Sequence, residues 1–131
     1  MEKISLSTHR EKEFVSIGGK INEVIKNKNW QDGLLHIYTP HTTSAITINE
    51  NADPDVPLDI VQHIQKLVPK EANFAHGEGN SDAHILSSLF GASEQVIIEN
   101  GKMALGTWQG IFFAEFDGPR SRSVYLKFIG Q

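Results

Sequence analysis

The chain of 131 residues contains no cysteine. This excludes a disulfide framework, thiolate metal ligands, an iron–sulfur cluster and a cysteine nucleophile. A chain of this length is long enough to fold around one hydrophobic core without such cross-links. The lack of cysteine fits a reducing compartment, and we expect the protein to be cytoplasmic.

Long hydrophobic runs and basic clusters are also missing. No apolar run approaches the roughly 20 residues that span a bilayer, and residues 1–10 alternate polar and apolar side chains, unlike a signal peptide. The chain has twelve Lys and Arg residues and 16 Asp and Glu residues, and no basic cluster is longer than the pair Arg120 and Arg122. A nucleic-acid binder needs a phosphate-neutralising patch. We therefore expect neither a membrane nor a nucleic acid as partner.

Hydrophobic periodicity predicts a single domain over residues 1–131, of the α+β class, with a mainly antiparallel, sandwich-like sheet and two or three helices. Period-two runs predict strands at 3–8, 13–17, 34–39, 44–49, 95–99, 107–116 and 122–129. Helical stripes predict helices at 17–25, 60–68 and after Asn80. We expect the first two strands to form a hairpin and the last three a meander, with a type I′ turn at Asn100-Gly101. Residues 51–57 are expected to form a loop.

The six histidines fall into two groups. The isolated ones usually satisfy local hydrogen bonds; they are His9, His36 and His63. Of the others, His41 interrupts a strand, His76 opens a glycine-rich turn, and His84 lies in the first turn of the next helix. Three imidazoles around an open position are typical of zinc sites. The alternative is that His76 orders the turn and His84 caps the helix.

Three carboxylates are candidates for proton transfer. Glu50 ends a strand, and Asp59 lies in the first predicted turn of a helix, where the helix dipole already favours it. Strand periodicity places Glu115 on one face with Ile111 and Phe113. A carboxylate in that setting must be paired, bind a cation or have a raised pKa. Exposure at the strand end is the alternative.

Two arginines open the last predicted strand. Arg120 and Arg122 are separated by one residue and therefore share a face. Together they can bind a phosphate or a carboxylate. The alternative is an ion pair with Glu115 or Asp117 across the turn.

Hydroxyl and aromatic side chains complete the candidates. Thr42 and Thr43 follow His41 and can hydrogen-bond an anionic ligand. Trp108 lies in a Gly-Thr-Trp-Gln-Gly segment, where a tryptophan more often belongs to a core or an interface than to a ligand platform. No Gly-x-Ser-x-Gly nucleophile motif and no P-loop are present.

Several motifs together resemble the signature of the YjbQ-like family and cover nearly the whole chain. They are His41-Thr42-Thr43 with Asn49-Glu50, His76-Gly77-x-x-Asn80 with Ala83-His84, Ser93-x-x-Val96-x-Ile98-x-x-Gly101-x-x-x-x-Gly106-Thr107-Trp108-Gln109-x-Ile111, and Glu115-x-x-Gly118-Pro119-Arg120-x-Arg122. The resemblance implies an α+β domain that assembles as a homotrimer. It also implies a weak secondary thiamine-phosphate synthase activity, which couples a pyrimidine diphosphate with a thiazole phosphate. The physiological reaction does not follow from it.

The resemblance assigns roles to the candidate residues. It implies that His41, His76 and His84 hold a divalent metal of the zinc type. Glu50, Asp59 or Glu115 would then orient a ligand or act as the catalytic base. The residues expected to bind a phosphorylated or anionic metabolite are Thr42, Thr43, Asn80, Trp108, Gln109, Arg120 and Arg122.

Two other functions stay open. One is metal-dependent hydrolysis of a phosphorylated or acyl substrate by the same histidines. The other is a non-catalytic trimer that binds a small anionic metabolite. A trimer also follows from the predicted strand near the C-terminus, which has apolar side chains on both faces; these are Trp108, Phe112, Phe113 and Phe116.

Overall fold

The computed structural model describes residues 1–131, with eight strands and three helices. In chain order they are β1 (Glu2–Ser7), β2 (Glu13–Ser16), α1 (Gly18–Lys28), β3 (Gly33–Tyr38), β4 (Ser44–Glu50), α2 (Asp55–Leu67), α3 (Ser81–Phe90), β5 (Ser93–Glu99), β6 (Lys102–Met103), β7 (Gln109–Glu115) and β8 (Ser121–Gly130). No helix is long and apolar enough to cross a membrane.

The strands form two antiparallel sheets. The larger has the order β1-β8-β3-β5-β6 and the smaller the order β2-β7-β4. The inner face of the larger sheet packs with α1 and one side of the smaller sheet around the main core, and α2 and α3 contribute to a second cluster with the other side. The predicted α+β class with mainly antiparallel sheets is therefore confirmed.

Burial of β7 on both faces explains its apolar sequence. Phe113 packs in the core between the sheets, whereas Ala114 and the following Phe116 pack with the helices. Phe112 and Phe113 are almost fully buried within the chain, while Trp108 precedes the strand and is 62% exposed. These phenylalanines therefore need no neighbouring copy to cover them. The homotrimer stays a prediction.

Two of the predicted strand pairings are wrong. β1 pairs with β8 and β2 with β7, so the first two strands lie in different sheets and form no hairpin. β7 and β8 also lie in different sheets, which rules out a meander. The Asn100-Gly101 hairpin is confirmed, because β5 pairs with β6 and both turn residues have positive φ, 52° and 76°.

α2 begins earlier than the sequence predicts. It starts at Asp55 and includes Pro57, which a helix tolerates in its first turn, where the missing N–H is not needed. The expected loop over 51–57 is therefore too long. Asp59 lies in the second turn rather than the first, and its side chain is exposed.

Several chain connections meet at one end of the two sheets. The segment 39–43 crosses from β3 to β4, and the segment 116–120 crosses from β7 to β8. Gly118 lies so close to the β1–β2 connection that an added Cβ would stand 2.3 Å from the carbonyl oxygen of Arg10. Only glycine fits there, and this packing fixes the position of the arginines that follow.

Candidate functional site

A polar cleft opens at this end of the sheets, and we call it the His41 cleft. Its volume is about 370 Å³. It is lined by Pro40, His41, Thr42, Thr43, Glu78, Asn80, Asp117, Arg120 and Arg122. The cleft thus brings together residues from the 39–43 and 116–120 connections, the start of β8 and the segment before α3.

A buried ion pair between Glu115 and Arg122 adjoins the cleft, and its arginine is one of the lining residues. The side chains of Glu115 and Arg122 are 0% and 2% exposed. Oε1 of Glu115 accepts hydrogen bonds from Nε of Arg122 at 2.8 Å and from the Thr8 hydroxyl at 2.7 Å. Oε2 accepts from Nη2 of Arg122 and, at 3.0 Å, from the N–H of Asp117. Of the alternatives for Glu115, the structure therefore has the paired carboxylate.

The ionisation of Glu115 follows from these contacts. Burial by itself would raise the pKa of Glu115, but the hydrogen bonds from Arg122, from the Asp117 N–H and from Thr8 outweigh it and hold the pKa below its ordinary value. The carboxylate is ionised near neutral pH, and both oxygens already accept hydrogen bonds. Glu115 therefore orients Arg122 and is poorly suited to act as a general base.

Arg122 lines the cleft and is held by hydrogen bonds from two of its nitrogens. Its Nη2 donates to the carbonyl oxygen of Thr43 at 3.2 Å and to the hydroxyl of Thr43 at 2.9 Å. Nη1 makes no hydrogen bond to the protein. The Thr43 hydroxyl therefore supports the arginine, and Nη1 is its one nitrogen without a protein acceptor.

Asp117 connects the two sides of the cleft. Its Oδ2 accepts from Nη2 of Arg120 at 3.0 Å and from Nδ2 of Asn80 at 2.9 Å. Nε of Arg120 also donates to the carbonyl oxygen of Asp117 at 2.8 Å. Arg120 is about half exposed, so it remains accessible from solvent.

The side chain of His41 accepts a hydrogen bond from β8 beyond the point where β3 ends. β3 ends at Tyr38, opposite Tyr125 of β8, and the N–H of Ser123 lies beyond that end. The N–H of Ser123 donates to Nε2 of His41 at 2.9 Å. Nε2 must therefore carry the lone pair, and in the neutral ring the proton resides on Nδ1.

Two effects keep His41 neutral. Burial and the positive charge of Arg122 lower its pKa below the ordinary value of 6.5, and Arg120 acts in the same direction. At pH 7 the ring is a neutral N–H donor whose second nitrogen is already occupied.

We expect the imidazole of His41 to titrate below pH 6.5 in an NMR experiment on its ring protons. Because the folded-state pKa is lowered, its contribution to stability is complete above pH 6.5 and is lost as the pH falls through the folded-state value. Arg120→Gln should raise the midpoint, since it removes a positive charge. A midpoint at or above 6.5 in the unchanged protein would contradict this assignment.

The three histidines predicted to bind metal lie in one region without forming a three-ligand site. The ring centroids of His76 and His84 are 5.4 Å apart and the rings are perpendicular. Nε2 of His76 is 3.8 Å from Glu78, and Nε2 of His41 is occupied by Ser123. No group of three His, Asp or Glu side chains is arranged to hold a metal ion, so this arrangement does not fit a three-ligand zinc site. Metal binding stays a prediction of the resemblance.

Other predicted site residues lie away from the cleft. Glu50 pairs with Gln109, whereas Ser44 at the other end of β4 pairs with Glu115. Six residues of strand span roughly 20 Å. Glu50, Gln109 and the neighbouring Trp108 therefore lie at the far end of the small sheet, and Asp59 is not among the lining residues.

Sequence reasoning missed a second buried ion pair beside the cleft. Nζ of Lys12 lies 2.6 Å from Oδ2 of Asp82, and their side chains are 4% and 1% exposed. The pair joins the β1–β2 connection to the first turn of α3, directly after Asn80. Lys12 lies in a charged run that reads as solvent-exposed, so the sequence carries no signal for this contact.

Comparisons with known proteins identify the family. The family described as "UPF0047 protein YjbQ-like" matches residues 2–131. UPF0047 protein MJ1081 of Methanocaldococcus jannaschii is 56% identical, over 98% of this chain and 93% of its own length. UPF0047 protein YugU of Bacillus subtilis is 44% identical, over 99% of each chain.

A solved structure agrees with this. The crystal structure of an uncharacterised YjbQ/UPF0047-family protein from Clostridium acetobutylicum superimposes with a TM-score of 0.95 at 50% identity, covering 98% of this chain and 100% of that one. The resemblance predicted from the motifs is confirmed. The chain belongs to the YjbQ-like UPF0047 family.

Proposed function

We propose that the His41 cleft binds a small phosphorylated substrate and that the protein is an enzyme that stabilises phosphate charge there. One observation carries the proposal: two guanidinium groups, Arg120 and Arg122, line the same polar cleft as a neutral imidazole donor. Guanidinium groups match the geometry of phosphate oxygens. The imidazole adds an N–H donor that is present in the neutral form of the ring.

The arrangement favours reactions that need no base. Glu115 is ionised but fully occupied, Asp117 is paired with Arg120, and the Nε2 lone pair of His41 faces Ser123. These three groups are engaged, and the other carboxylate that lines the cleft, Glu78, is 73% exposed and lies 3.8 Å from Nε2 of His76. Charge stabilisation and positioning are therefore what the cleft offers.

Coupling of a pyrimidine diphosphate with a thiazole phosphate is a reaction of this kind. The thiazole nitrogen attacks the methylene carbon of the pyrimidine, a C–N bond forms, the C–O bond to diphosphate breaks, and diphosphate leaves with the electron pair. No proton has to be removed. The two arginines and the Nδ1–H of His41 would stabilise the departing diphosphate. We propose this weak coupling as one activity of the cleft.

A non-catalytic role is the second candidate, and it is favoured over metal-dependent hydrolysis because the cleft carboxylate without a hydrogen bond, Glu78, is 73% exposed rather than held at the buried end of the site. Hydrolysis needs a group that activates water, whereas binding does not. Release of diphosphate from the two thiamine precursors by the purified protein decides between enzyme and binder. The implied homotrimer, divalent ion and cytoplasmic location are compatible with both, and no step depends on them.

We expect Arg120→Gln to weaken the binding of inorganic diphosphate by about tenfold or more, because it removes a charge-assisted donor. Isothermal titration calorimetry measures the affinity. Lys26→Gln is the matched control. It also removes an exposed cation, but Lys26 lies in the last turn of α1, near β6, and does not line the His41 cleft. Equal affinity of the Arg120→Gln variant and the unchanged protein would contradict the proposal.

A further inference from the structure

A second cavity adjoins the His41 cleft, and we call it the α3 cavity. Its volume is about 480 Å³. It shares three lining residues with the cleft, namely Pro40, His41 and Thr42. Because three consecutive residues span at most about 7 Å along the chain, the two cavities lie side by side.

The segment that leads into α3 borders both cavities as well. Glu78 lines the cleft, whereas His84 lines the α3 cavity. His76 lies between these two residues: its Nε2 is 3.8 Å from Glu78, and its ring centroid is 5.4 Å from that of His84. Since the segments 40–42 and 76–84 run along both cavities, we interpret the cavities as the two ends of one groove.

One face of α3 forms a wall of the α3 cavity. His84, Ser87 and Ser88 line it and are three or four residues apart, so their side chains share that face of the helix. The hydroxyl of Ser87 donates to the carbonyl oxygen of Ser44 at 2.7 Å, and the hydroxyl of Ser88 donates to the carbonyl oxygen of His84 at 2.9 Å. Neither hydroxyl hydrogen is left to bind an anion.

The two cavities differ in charge. Arg120 and Arg122 line the His41 cleft, whereas no lysine, arginine, aspartate or glutamate lines the α3 cavity. A charged group in the α3 cavity would lose hydration without meeting an opposite charge, which is unfavourable. An uncharged group has no such penalty. The groove therefore suits a ligand that is charged at one end only.

We propose that the substrate is a phosphate ester whose uncharged organic part occupies the α3 cavity while its phosphate binds the arginines of the His41 cleft. This inference rests on the proposed phosphate-binding function and adds the substrate class. The substrate has one anionic end and a neutral body that lies within about 7 Å of it, the length of the shared wall. A second anionic group at the far end of the molecule is disfavoured.

Calorimetry with three phosphate esters tests this substrate class. Methyl phosphate fills the cleft alone, benzyl phosphate adds a neutral ring, and 4-carboxybenzyl phosphate adds a carboxylate to the same ring. The titrations are run at pH 8, where imidazoles are ordinarily neutral. We expect benzyl phosphate to bind about tenfold more tightly than methyl phosphate, because its ring buries apolar surface. The carboxylate should remove most of that advantage.

A charge introduced on the cavity face of α3 tests where the ring lies. Ser88 is exposed and lies in the last turn of α3, where a lysine suits the helix dipole. In Ser88→Lys, 4-carboxybenzyl phosphate should gain about threefold or more in affinity relative to benzyl phosphate. Asn22→Lys is the matched control, because it adds the same charge at an exposed position of α1 outside both cavities. It should leave the ratio unchanged.

Three results would overturn the inference. Equal binding of methyl and benzyl phosphate, with inorganic diphosphate still bound through Arg120, would show that residues 40–42 separate the cavities, and the proposed function would stand. A benzyl advantage that the carboxylate leaves intact, or a ratio that Ser88→Lys shifts no more than Asn22→Lys does, would show that the ring lies elsewhere. If neither the esters nor diphosphate binds at millimolar concentration, the proposed function and this inference both fail.

Discussion

Replacing Arg122 with methionine is expected to destabilise the fold by about 3–5 kcal/mol, since it leaves the Glu115 carboxylate buried without its partner. The remaining donors to Glu115 are Thr8 and the N–H of Asp117. They do not replace a guanidinium, which neutralises the charge as well as donating two hydrogen bonds. Urea unfolding at pH 7 measures the loss.

Removing both partners should cost less than removing one. In the double variant Glu115→Leu/Arg122→Met no charge is left in the buried site, so we expect the free energy of unfolding to recover part of the loss seen in Arg122→Met. The contrary result is additivity: the loss in the double variant would equal the sum of the losses in Arg122→Met and Glu115→Leu measured separately. The loss in Arg122→Met would then not come from an uncompensated charge.

The pH dependence of stability provides an independent test of the same prediction. The folded-state pKa of Glu115 is lowered, so its contribution to stability is complete above the ordinary value of 4.5 and is lost as the pH falls through the folded-state value. Without Arg122, burial should raise this pKa instead. The Arg122→Met variant should then gain stability from Glu115 as the pH falls from 7 to 5, a range in which Glu115 leaves the stability of the unchanged protein unaltered.

The sequence predicted which face of a strand a residue occupies better than it predicted which strands pair with each other. Period-two alternation placed Glu115 on a buried face beside Phe113, and the burial is found. An ion pair of an arginine with Glu115 was one of two alternatives, because alternation does not show which side chains of two different sheets meet. The Asn100-Gly101 turn was predictable because its conformation is set by two residues. The expected hairpin of β1 with β2 failed because each strand pairs across a long sequence separation, in a different sheet.

The cleft was predictable only in part for the same reason. His41, Asn80, Arg120 and Arg122 were found through the resemblance, whose motifs mark residues without saying where they meet. Neither composition nor periodicity indicates that Nε2 of His41 accepts a hydrogen bond from the N–H of Ser123, since that contact depends on where β3 ends. The contact matters, because it decides whether the imidazole acts as a ligand, a base or a donor.

Replacing Lys12 with methionine is the second change expected to have a large effect, about 3–5 kcal/mol, because Asp82 would be left as an unpaired buried charge. Methionine has nearly the volume of the lysine stem, so packing changes little. Asp82 lies in the first turn of α3, next to Asn80, and the loss should therefore loosen the start of α3. Urea unfolding and amide hydrogen exchange of α3 measure the two effects.

Lys70→Met provides the matched control. Lys70 is also paired, with Glu11 in the same β1–β2 connection, but both side chains are about half exposed. Solvent-exposed pairs contribute little to stability, because water already solvates both charges, so this variant should unfold like the unchanged protein. A Lys12→Met variant that also unfolds like the unchanged protein would show that Asp82 reaches water when its partner is removed. The ion pair would then not be what fixes the start of α3 beside the cleft.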